Sequence, residues 1–443
     1  MKPQRHALRG TTLSFNAEPG GADRPCEGSL DYHEDGLVVI CDGLIERVGP
    51  AAELLMHLPP ETPVTHYPGR LIMPGFIDPH LHYSQLDITA SWGRQLLDWL
   101  NDYTFPEESG FADRDRADDV ARAFIEQLLA HGVTTALAFC TSHPQSVDAL
   151  FEAAAPFDMR LIAGKVMMDR NAPPALCDTA ERGERGERDT RALIERWHGR
   201  GRFEVAITPR FAPTSSPAQL AATQRLARDY PDLIVQTHLS ENRREVEWVS
   251  ELFPDDRDYL AVYERFELVR PRAIFAHAIF IDDDVRRRLA ERGGAIAFCP
   301  SSNLFLGSGL FDWHAARRQG VGVGLASDIG AGTGLSPFST LSDAYKVAQL
   351  ADQPLTPWQG FYAHTLGNAR VLGIASRVGR LAPGFEADIV VLDPGATDLL
   401  ARKEHRNPTL MARLFNLMIL GDERCVSATW MKGRRVFEKM PER

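Results

Sequence analysis

Cysteine is scarce. The chain of 443 residues holds six, Cys26, Cys41, Cys140, Cys177, Cys299 and Cys425, and no two form a C-x-x-C pair. They read as reduced, mostly buried thiols, which argues against a disulfide framework and leaves histidine and carboxylate to hold any metal. Long apolar runs are missing too. None reaches the roughly 18 residues a membrane-spanning helix needs, and residues 1–10 lack the apolar core of a signal peptide, so the expected location is the cytoplasm. Positive charge is not in excess: 49 Lys and Arg face 60 Asp and Glu, a net charge of −11. Such a chain has no general attraction for nucleic acid or an anionic membrane, so neither is expected as a partner, and a compact uncharged small molecule suits it better. No solenoid-type repeat is present. The only biased segment, residues 178–191, alternates Glu and Arg as a solvated helix face or loop does.

What remains is an ordinary globular composition, 44% hydrophobic and 25% charged. The length accommodates one large barrel domain or two to three smaller domains. From residue 71 onward one theme repeats: a short apolar run rich in β-branched residues, a polar turn, then a helical pattern. Eight such runs occur, at 72–78, 134–140, 160–167, 204–210, 233–238, 273–277, 295–299 and 321–327. Helix-like stretches such as 116–131 and 216–229 lie between them, the second opening on Ser216-Pro217, a capping residue followed by proline at the first helical position. Eight β-then-α units in series predict a closed (β/α)8 barrel of the TIM type rather than an open doubly wound sheet.

The flanks read differently. Residues 37–40 and 44–48 are short strands joined by Asp42-Gly43, a tight-turn pair, and 388–392 and 425–431 are strands too, the latter turning at Lys432-Gly433 into 434–437. Neither set is large enough to form a core alone, so the expectation is a small β-sandwich built from both ends of the chain. The resulting division is 1–72 and 376–443 for the sandwich and 73–375 for the barrel.

The run Pro74-Gly75-Phe76-Ile77-Asp78-Pro79-His80-Leu81-His82 ends the first barrel strand. Residues two apart on a strand point the same way, so His80 and His82 present both imidazoles to one face. Two histidines can share a strand for packing reasons alone. Here three other strands end in groups able to join them: Gln236-Thr237-His238, Phe275-Ala276-His277 and Ala326-Ser327-Asp328. All fall at carboxyl ends of barrel strands, where barrel enzymes place their chemistry. A core histidine with satisfied hydrogen bonds accounts for any one of them and poorly for all together. We assign His80, His82 and His238 as nitrogen ligands and Asp328 as the oxygen ligand of a metal, with zinc favoured and iron or manganese as alternatives. Such an ion lowers the pKa of bound water from 15.7 to about 7. Glu241, three residues past His238, is placed to move a proton from that water to substrate; capping a helix in its first turn is the competing role.

Together these residues resemble the amidohydrolase superfamily, in which H-x-H, a strand-five His, a strand-six His and a strand-eight Asp sit in a (β/α)8 barrel. The resemblance spans nearly the whole chain, including the closing Gly379-Arg380-Leu381-Ala382-Pro383-Gly384-Phe385-Glu386-Ala387-Asp388. Within the superfamily it narrows to the guanine-deaminating members. The segments that carry this are Pro79-His80-Leu81-His82-Tyr83-Ser84-Gln85, the stretch 97–107, Thr208-Pro209-Arg210-Phe211, Thr237-His238-Leu239-Ser240-Glu241-Asn242 and Cys299-Pro300-Ser301-Ser302-Asn303-Leu304. Pro79 is a departure, since threonine is commoner there, and it removes a side-chain hydrogen bond from the metal's surroundings. The resemblance implies hydrolysis of guanine to xanthine and ammonia. It implies that Gln85 and Arg210 hydrogen-bond the purine, that Phe211 lines the base pocket, and that His82, His238 and His277 also face substrate. A fixed guanidinium fork on a ring carbonyl would reject adenine, which offers an amine there. His277 is implied as a ligand to water and substrate, with weak metal binding as its other role; with Glu241 and Asp328 it completes the catalytic set. Dinuclear relatives need a carbamylated lysine on the fourth strand, where this chain has Thr208-Pro209-Arg210, so one ion per chain is expected, with Lys165 the residue able to upset that.

Residues 92–108 form a long aromatic-rich connection after the first strand, read equally as a lid or as a surface for a second subunit, and a homodimer is expected. Two other readings compete: a deaminase or chlorohydrolase of the same superfamily acting on another purine, a pterin or a triazine, and a metal-free barrel scaffold. The cytidine-deaminase architecture is disfavoured because its H-x-E and P-C-x-x-C signatures are missing.

Overall fold

The structure is a computed structural model that describes residues 4–21, 24–93, 95–178 and 184–439. Strands follow in chain order as β1 (Arg5–Phe15), β2 (Leu30–Cys41), β3 (Leu44–Pro50), β4 (Val64–Pro74), β5 (Phe76–His82), β6 (Val133–Phe139), β7 (Arg160–Gly164), β8 (Val166–Met167), β9 (Phe203–Val205) and β10 (Thr208–Pro209). They continue with β11 (Val235–Leu239), β12 (Ala273–His277), β13 (Ala295–Phe298), β14 (Gly322–Leu325), β15 (Ile389–Leu392), β16 (Val426–Met431) and β17 (Arg434–Glu438). Packing divides the chain into two compact units: Met1–Ile77, Glu126–Thr135 and Ser336–Arg443 in one, Asp78–Ile125 and Ala136–Leu335 in the other.

The first unit joins both ends of the chain in one seven-stranded sheet of order β17-β16-β15-β4-β1-β2-β3. Two tight turns were readable from sequence and recur as built: Asp42-Gly43 at φ +50° and +83°, and Lys432-Gly433 at φ +44° and +71°. Two successive positive φ values match the right-handed twist of the strands they join. Leu8, Val38, Ile40, Ile45, Ile72, Ile389, Val391 and Ala428 form one buried cluster drawn from both ends. The Ile45 N–H also reaches Phe385 O at 2.8 Å, bringing the β2–β3 hairpin back onto the segment that enters β15. The sheet thus curls over its own core, as the expected sandwich requires. β1 lies inside this sheet, yet its buried positions include Thr11, Thr12 and Ser14, so it carries no apolar run to read.

The second unit holds the barrel. β5, β6, β7 and β9 form one sheet, and β11 to β14 form another whose neighbours all pair in parallel. The short parallel pair β8 and β10 extends β7 and β9, so the third and fourth barrel strands are each broken in two. A bridge from Ile207 to Val235 links the fourth strand to the fifth. Closure comes from the chain just past β14: Asp328 N–H donates to His80 O at 3.0 Å and His82 N–H to Ile329 O at 2.7 Å. Buried on both faces, these strands read as apolar runs without alternation, as β6 does with every residue buried.

Two sequence expectations need adjusting. The run at 72–78 straddles two strands: β4 ends at Pro74, and β5 begins at Phe76. Gly75 divides them because a Cβ there would meet Thr134 Oγ1 at 2.2 Å. His80 and His82 therefore lie within the first barrel strand. Of the Glu/Arg-rich segment, 179–183 lie outside the described residues, and the remainder enters the helix Glu184–Trp197, which buries Gly186, Thr190, Leu193 and Ile194. The helix Pro217–Asp229 starts as read, with Ser216 Oγ accepting from Gln219 N–H. No helix among the described residues is long and apolar enough to cross a membrane.

Gly164, at the break between β7 and β8, faces backbone: a Cβ there would lie 2.2 Å from Ala206 O and 3.0 Å from Ala206 C. Backbone cannot rotate away as a side chain can, so Gly164→Ala is expected to cost about 1–3 kcal/mol of stability. Urea unfolding measures it, and an unchanged midpoint would mean that the neighbouring strand yields freely.

Candidate active site

Four strand ends supply the site. β5 carries His80 and His82, β11 ends beyond His238, β12 ends at His277, and Asp328 follows β14. Glu241 follows β11 by two residues. All six side chains are buried. The backbone bends sharply where it delivers them: Ser240, His277, Ala278 and Asp328 have φ of +49°, +69°, +49° and +51°. Left-handed conformations at non-glycine residues cost free energy and persist where surrounding structure enforces them.

The imidazoles converge. His80 Nε2 is 3.1 Å and His82 Nε2 3.5 Å from Asp328 Oδ1, His277 Nε2 is 3.7 Å from Asp328 Oδ2, and His82 Nε2 is 3.2 Å from His238 Nε2. One set of four is His80, His238, His277 and Asp328, whose ligand atoms all lie within 4.8 Å of one another. It contains His277, the residue expected in the water and substrate role, while His82 of the expected ligands stands just beside it. The sequence-derived residues are thus all brought together.

Hydrogen bonds behind the rings set which nitrogen faces inward. His238 Nδ1 lies 2.7 Å from Arg210 O, a carbonyl that can only accept, so Nδ1 carries the proton and Nε2 offers a lone pair to the centre. His277 Nδ1 likewise donates to Asn303 Oδ1 at 2.8 Å. His80 Nε2 is buried and makes no hydrogen bond of good geometry, although Asp328 Oδ1 lies 3.1 Å away. Imidazole nitrogens from separate strands converging on one point beside a carboxylate fit a bound cation. Burial lowers the pKa of His82 and His238 well below the ordinary value, and that of His277 to about 4, which keeps the rings neutral as ligation requires. Burial also pushes Asp328 up, but contact with His80 and the fields of His277 and His82 outweigh it, and its pKa falls far below the carboxylate range. Glu241 moves the other way: burial, then the charge of Asp328, raises its pKa well above the ordinary value. Where Pro79 offers no hydrogen bond, Asp78 does the supporting: its carboxylate accepts from His80 N–H at 3.2 Å and Ser327 N–H at 3.3 Å, tying the first strand to the eighth. Lys165 is occupied elsewhere, in a buried ion pair with Asp178 at 2.7 Å.

A cavity opens against this cluster. Gln85, Arg210, Phe211, His82, His238, His277, Glu241 and Asp328 line it, and Leu96, Trp99, Leu100 and Thr104 supply an apolar wall. That wall is the connection after β5, folded as Leu96–Trp99, a π-helical turn Leu100–Thr104, and Phe105–Ser109. Its inner face packs against Phe139 and Phe211 of the same chain, while Trp92 is 79% exposed.

Sequence reasoning missed several side chains around the site. Glu245 Oε2 accepts the N–H groups of Glu241 and Asn242 at 2.8 and 3.0 Å, and its Oε1 accepts from Tyr259 OH at 2.8 Å. Tyr263 OH donates to His238 O at 2.9 Å and accepts from Ala212 N–H at 3.0 Å. Asn242 and Glu245 form a capping box, a spacing that was legible in the sequence; Asn303 lies in the Cys299–Leu304 segment that carries the resemblance, and nothing local marks the two tyrosines.

With this geometry in hand, comparison with known proteins is direct. The amidohydrolase family model matches residues 71–436. The chain belongs to the amidohydrolase family, a metal-dependent family whose fold and His/Asp cluster it carries. It is 46% identical over 441 residues to guanine deaminase of Escherichia coli (strain K12), across 99% of this chain and 100% of the relative. The solved structure of E. coli guanine deaminase matches with a TM-score of 0.94 over 98% of this chain and 100% of that one. The crystal structure of guanine deaminase from C. acetobutylicum with bound guanine in the active site, 28% identical, matches with a TM-score of 0.87 over 98% and 100%.

Glu245 generates a test of how the loop bearing Glu241 is held. Burial pushes its pKa up to about 7 from an ordinary 4.5. The native state therefore keeps a proton that the unfolded chain has lost, and stability falls as pH rises from about 4.5 through about 7. In Glu245→Gln the amide can accept both N–H bonds and donate to Tyr259, with no proton to lose. Between pH 5 and 8 the variant should gain about 1–3 kcal/mol relative to the parent, read by urea unfolding of the metal-loaded proteins. A difference independent of pH would mean that Glu245 is ionised throughout.

Proposed function

We infer that the chain is a guanine aminohydrolase: it converts guanine and water to xanthine and ammonia. The observation that carries this is the meeting of Arg210 and Gln85 with the His/Asp cluster in one cavity, in a chain that matches E. coli guanine deaminase from end to end. In this reading His80, His82, His238 and Asp328 hold one zinc ion per chain; the inward lone pairs and the engagement of Lys165 by Asp178 support that choice. When bound, the metal supplies ionised water as a nucleophile at neutral pH. Asp328, kept anionic by its imidazole neighbours, serves as ligand and orients the attacking oxygen.

Glu241 serves as the proton carrier, because its high pKa lets it hold a proton at neutral pH and hand it on. Its Oε2 lies 3.3 Å from His277 Nε2, so the two groups face the same reacting atoms. His277, with Nδ1 committed to Asn303, presents an Nε2 lone pair that accepts a hydrogen bond from the attacking water and orients it, and Glu241 delivers the proton to the departing amine. Arg210 donates to the ring carbonyl, the Gln85 side chain hydrogen-bonds the ring's edge, and Phe211 packs on the base. The division we adopt is 73–375 for the catalytic barrel and 1–72 with 376–443 for the β-sandwich. A cytoplasmic homodimer completes the reading, with neither nucleic acid nor membrane as partner; the exposed Trp92 supports a subunit contact on the outer side of a connection whose inner side walls the cavity.

Purified protein should release ammonia from guanine and leave adenine untouched. Turnover of another ring with none of guanine would overturn the assignment. Glu241→Gln should retain about one zinc per chain, by elemental analysis, and lose roughly 100-fold or more of its turnover. His82→Ala should lose both, and retention of metal would remove His82 from the ligand set.

A further inference from the structure

The two side chains that read the substrate ring in this proposal share one partner. Arg210 Nη1 donates to Glu108 Oε2 at 2.7 Å, and Gln85 Nε2 donates to Glu108 Oε1 at 3.0 Å. All three are buried, Glu108 completely. Glu108 sits on the helix Phe105–Ser109 of the connection after β5, far in sequence from Arg210, and the Phe105 ring lies 5.5 Å beneath the same guanidinium. The connection is braced internally, with Tyr103 OH donating to Trp92 O at 2.7 Å and Arg116 paired with Glu107 at 2.5 Å.

A buried ion pair adds little net stability, because desolvation offsets most of the attraction, but it fixes geometry strongly. Its effect on the amide matters more. The two ends of a glutamine side chain are nearly equal in shape and opposite in polarity, so an unanchored amide can turn over and exchange acceptor for donor. With Nε2 committed to Glu108, the oxygen is the acceptor that Gln85 brings to the cavity. Arg210 has five N–H donors and commits one here, leaving others for the cavity.

We propose that Glu108 is the positioning residue for ring recognition: its carboxylate fixes Arg210 as donor and Gln85 as acceptor, so the cavity reads a ring carbonyl beside a ring N–H. Guanine presents that pair. A ring with a bare nitrogen and no carbonyl presents neither partner. The proposal rests on the guanine reading and adds to it a determinant of specificity that acts only through other residues.

The test compares metal-loaded wild type and Glu108→Gln on guanine and on 2-aminopurine, which keeps the amine on the same carbon and lacks the carbonyl. For guanine, kcat/KM should fall about 30-fold, nearly all in KM, with metal content unchanged. For 2-aminopurine, followed as turnover or as competitive inhibition of guanine turnover, the change should stay under about threefold. Adding Glu108→Gln to Arg210→Ala should cost less than about threefold more, because the group it acts through is gone. Equal losses on both rings, or a full additive loss in the Arg210→Ala background, would overturn the proposal. Should Glu108→Gln not fold, Glu108→Asp is too short to reach both partners and should show the same selective loss. Wild type that leaves guanine untouched would defeat the functional reading itself, whereas normal guanine turnover with an unaltered KM in the variant would defeat only the role of Glu108.

Discussion

The site depends on how the barrel closes. Two backbone hydrogen bonds, Asp328 N–H to His80 O and His82 N–H to Ile329 O, join the chain past β14 to β5. They fix the register between the strand carrying two imidazoles and the residue carrying the carboxylate. Side chains alternate along a strand, so a slip of one residue would turn both histidines out of the barrel mouth and leave Asp328 without them. Asp78 pins the same seam, accepting N–H groups from both sides of it. Burial pushes its pKa up to about 6, so that seam is held by a carboxyl group that ionises only reluctantly.

Within that frame, carboxyl groups a few ångströms apart are driven in opposite directions. Asp328 is surrounded by imidazoles and stays ionised; Glu241 is buried beside Asp328 and is pushed toward its protonated form. Environment alone separates the proposed ligand from the proposed proton carrier, as expected when neighbouring acids must not both ionise. Glu245 extends the same logic outward. It holds the backbone of Glu241 and Asn242 while meeting Tyr259, and Tyr263 fixes the carbonyl of His238 from the other side. The loop after β11 is thus clamped at both ends of its short path.

The barrel and the groups that line its mouth were legible in the sequence because each is local: a strand run, a terminal His or Asp, a turn pair such as Asp42-Gly43. β1 was not, since its buried Thr and Ser give no apolar pattern although neighbouring strands satisfy its backbone. The first barrel strand was displaced because Gly75 divides two strands for a reason, the closeness of Thr134, that only packing reveals. Glu108, Tyr259 and Tyr263 were hidden for a further reason. Their roles are defined by partners distant in sequence, as with Arg210 and Glu108, 102 positions apart, and no spacing rule reaches that far.

This difference in legibility follows a difference in architecture. The groups proposed to hold metal and move protons stand on strand ends, where backbone pairing holds them within a narrow range of positions. The groups proposed to read the ring are aimed by a connection that belongs to no barrel strand and carries its own bracing. In this reading, chemistry and recognition are aimed by different parts of the fold. A change in the 92–109 connection acts first on the Arg210 and Gln85 side chains, whereas a change in β5 or β14 disturbs the seam on which both depend. On physical grounds alone, a family built this way can keep one reaction while altering the ring it accepts, and the place to look for that alteration is the partner of the recognising side chains as much as those side chains themselves.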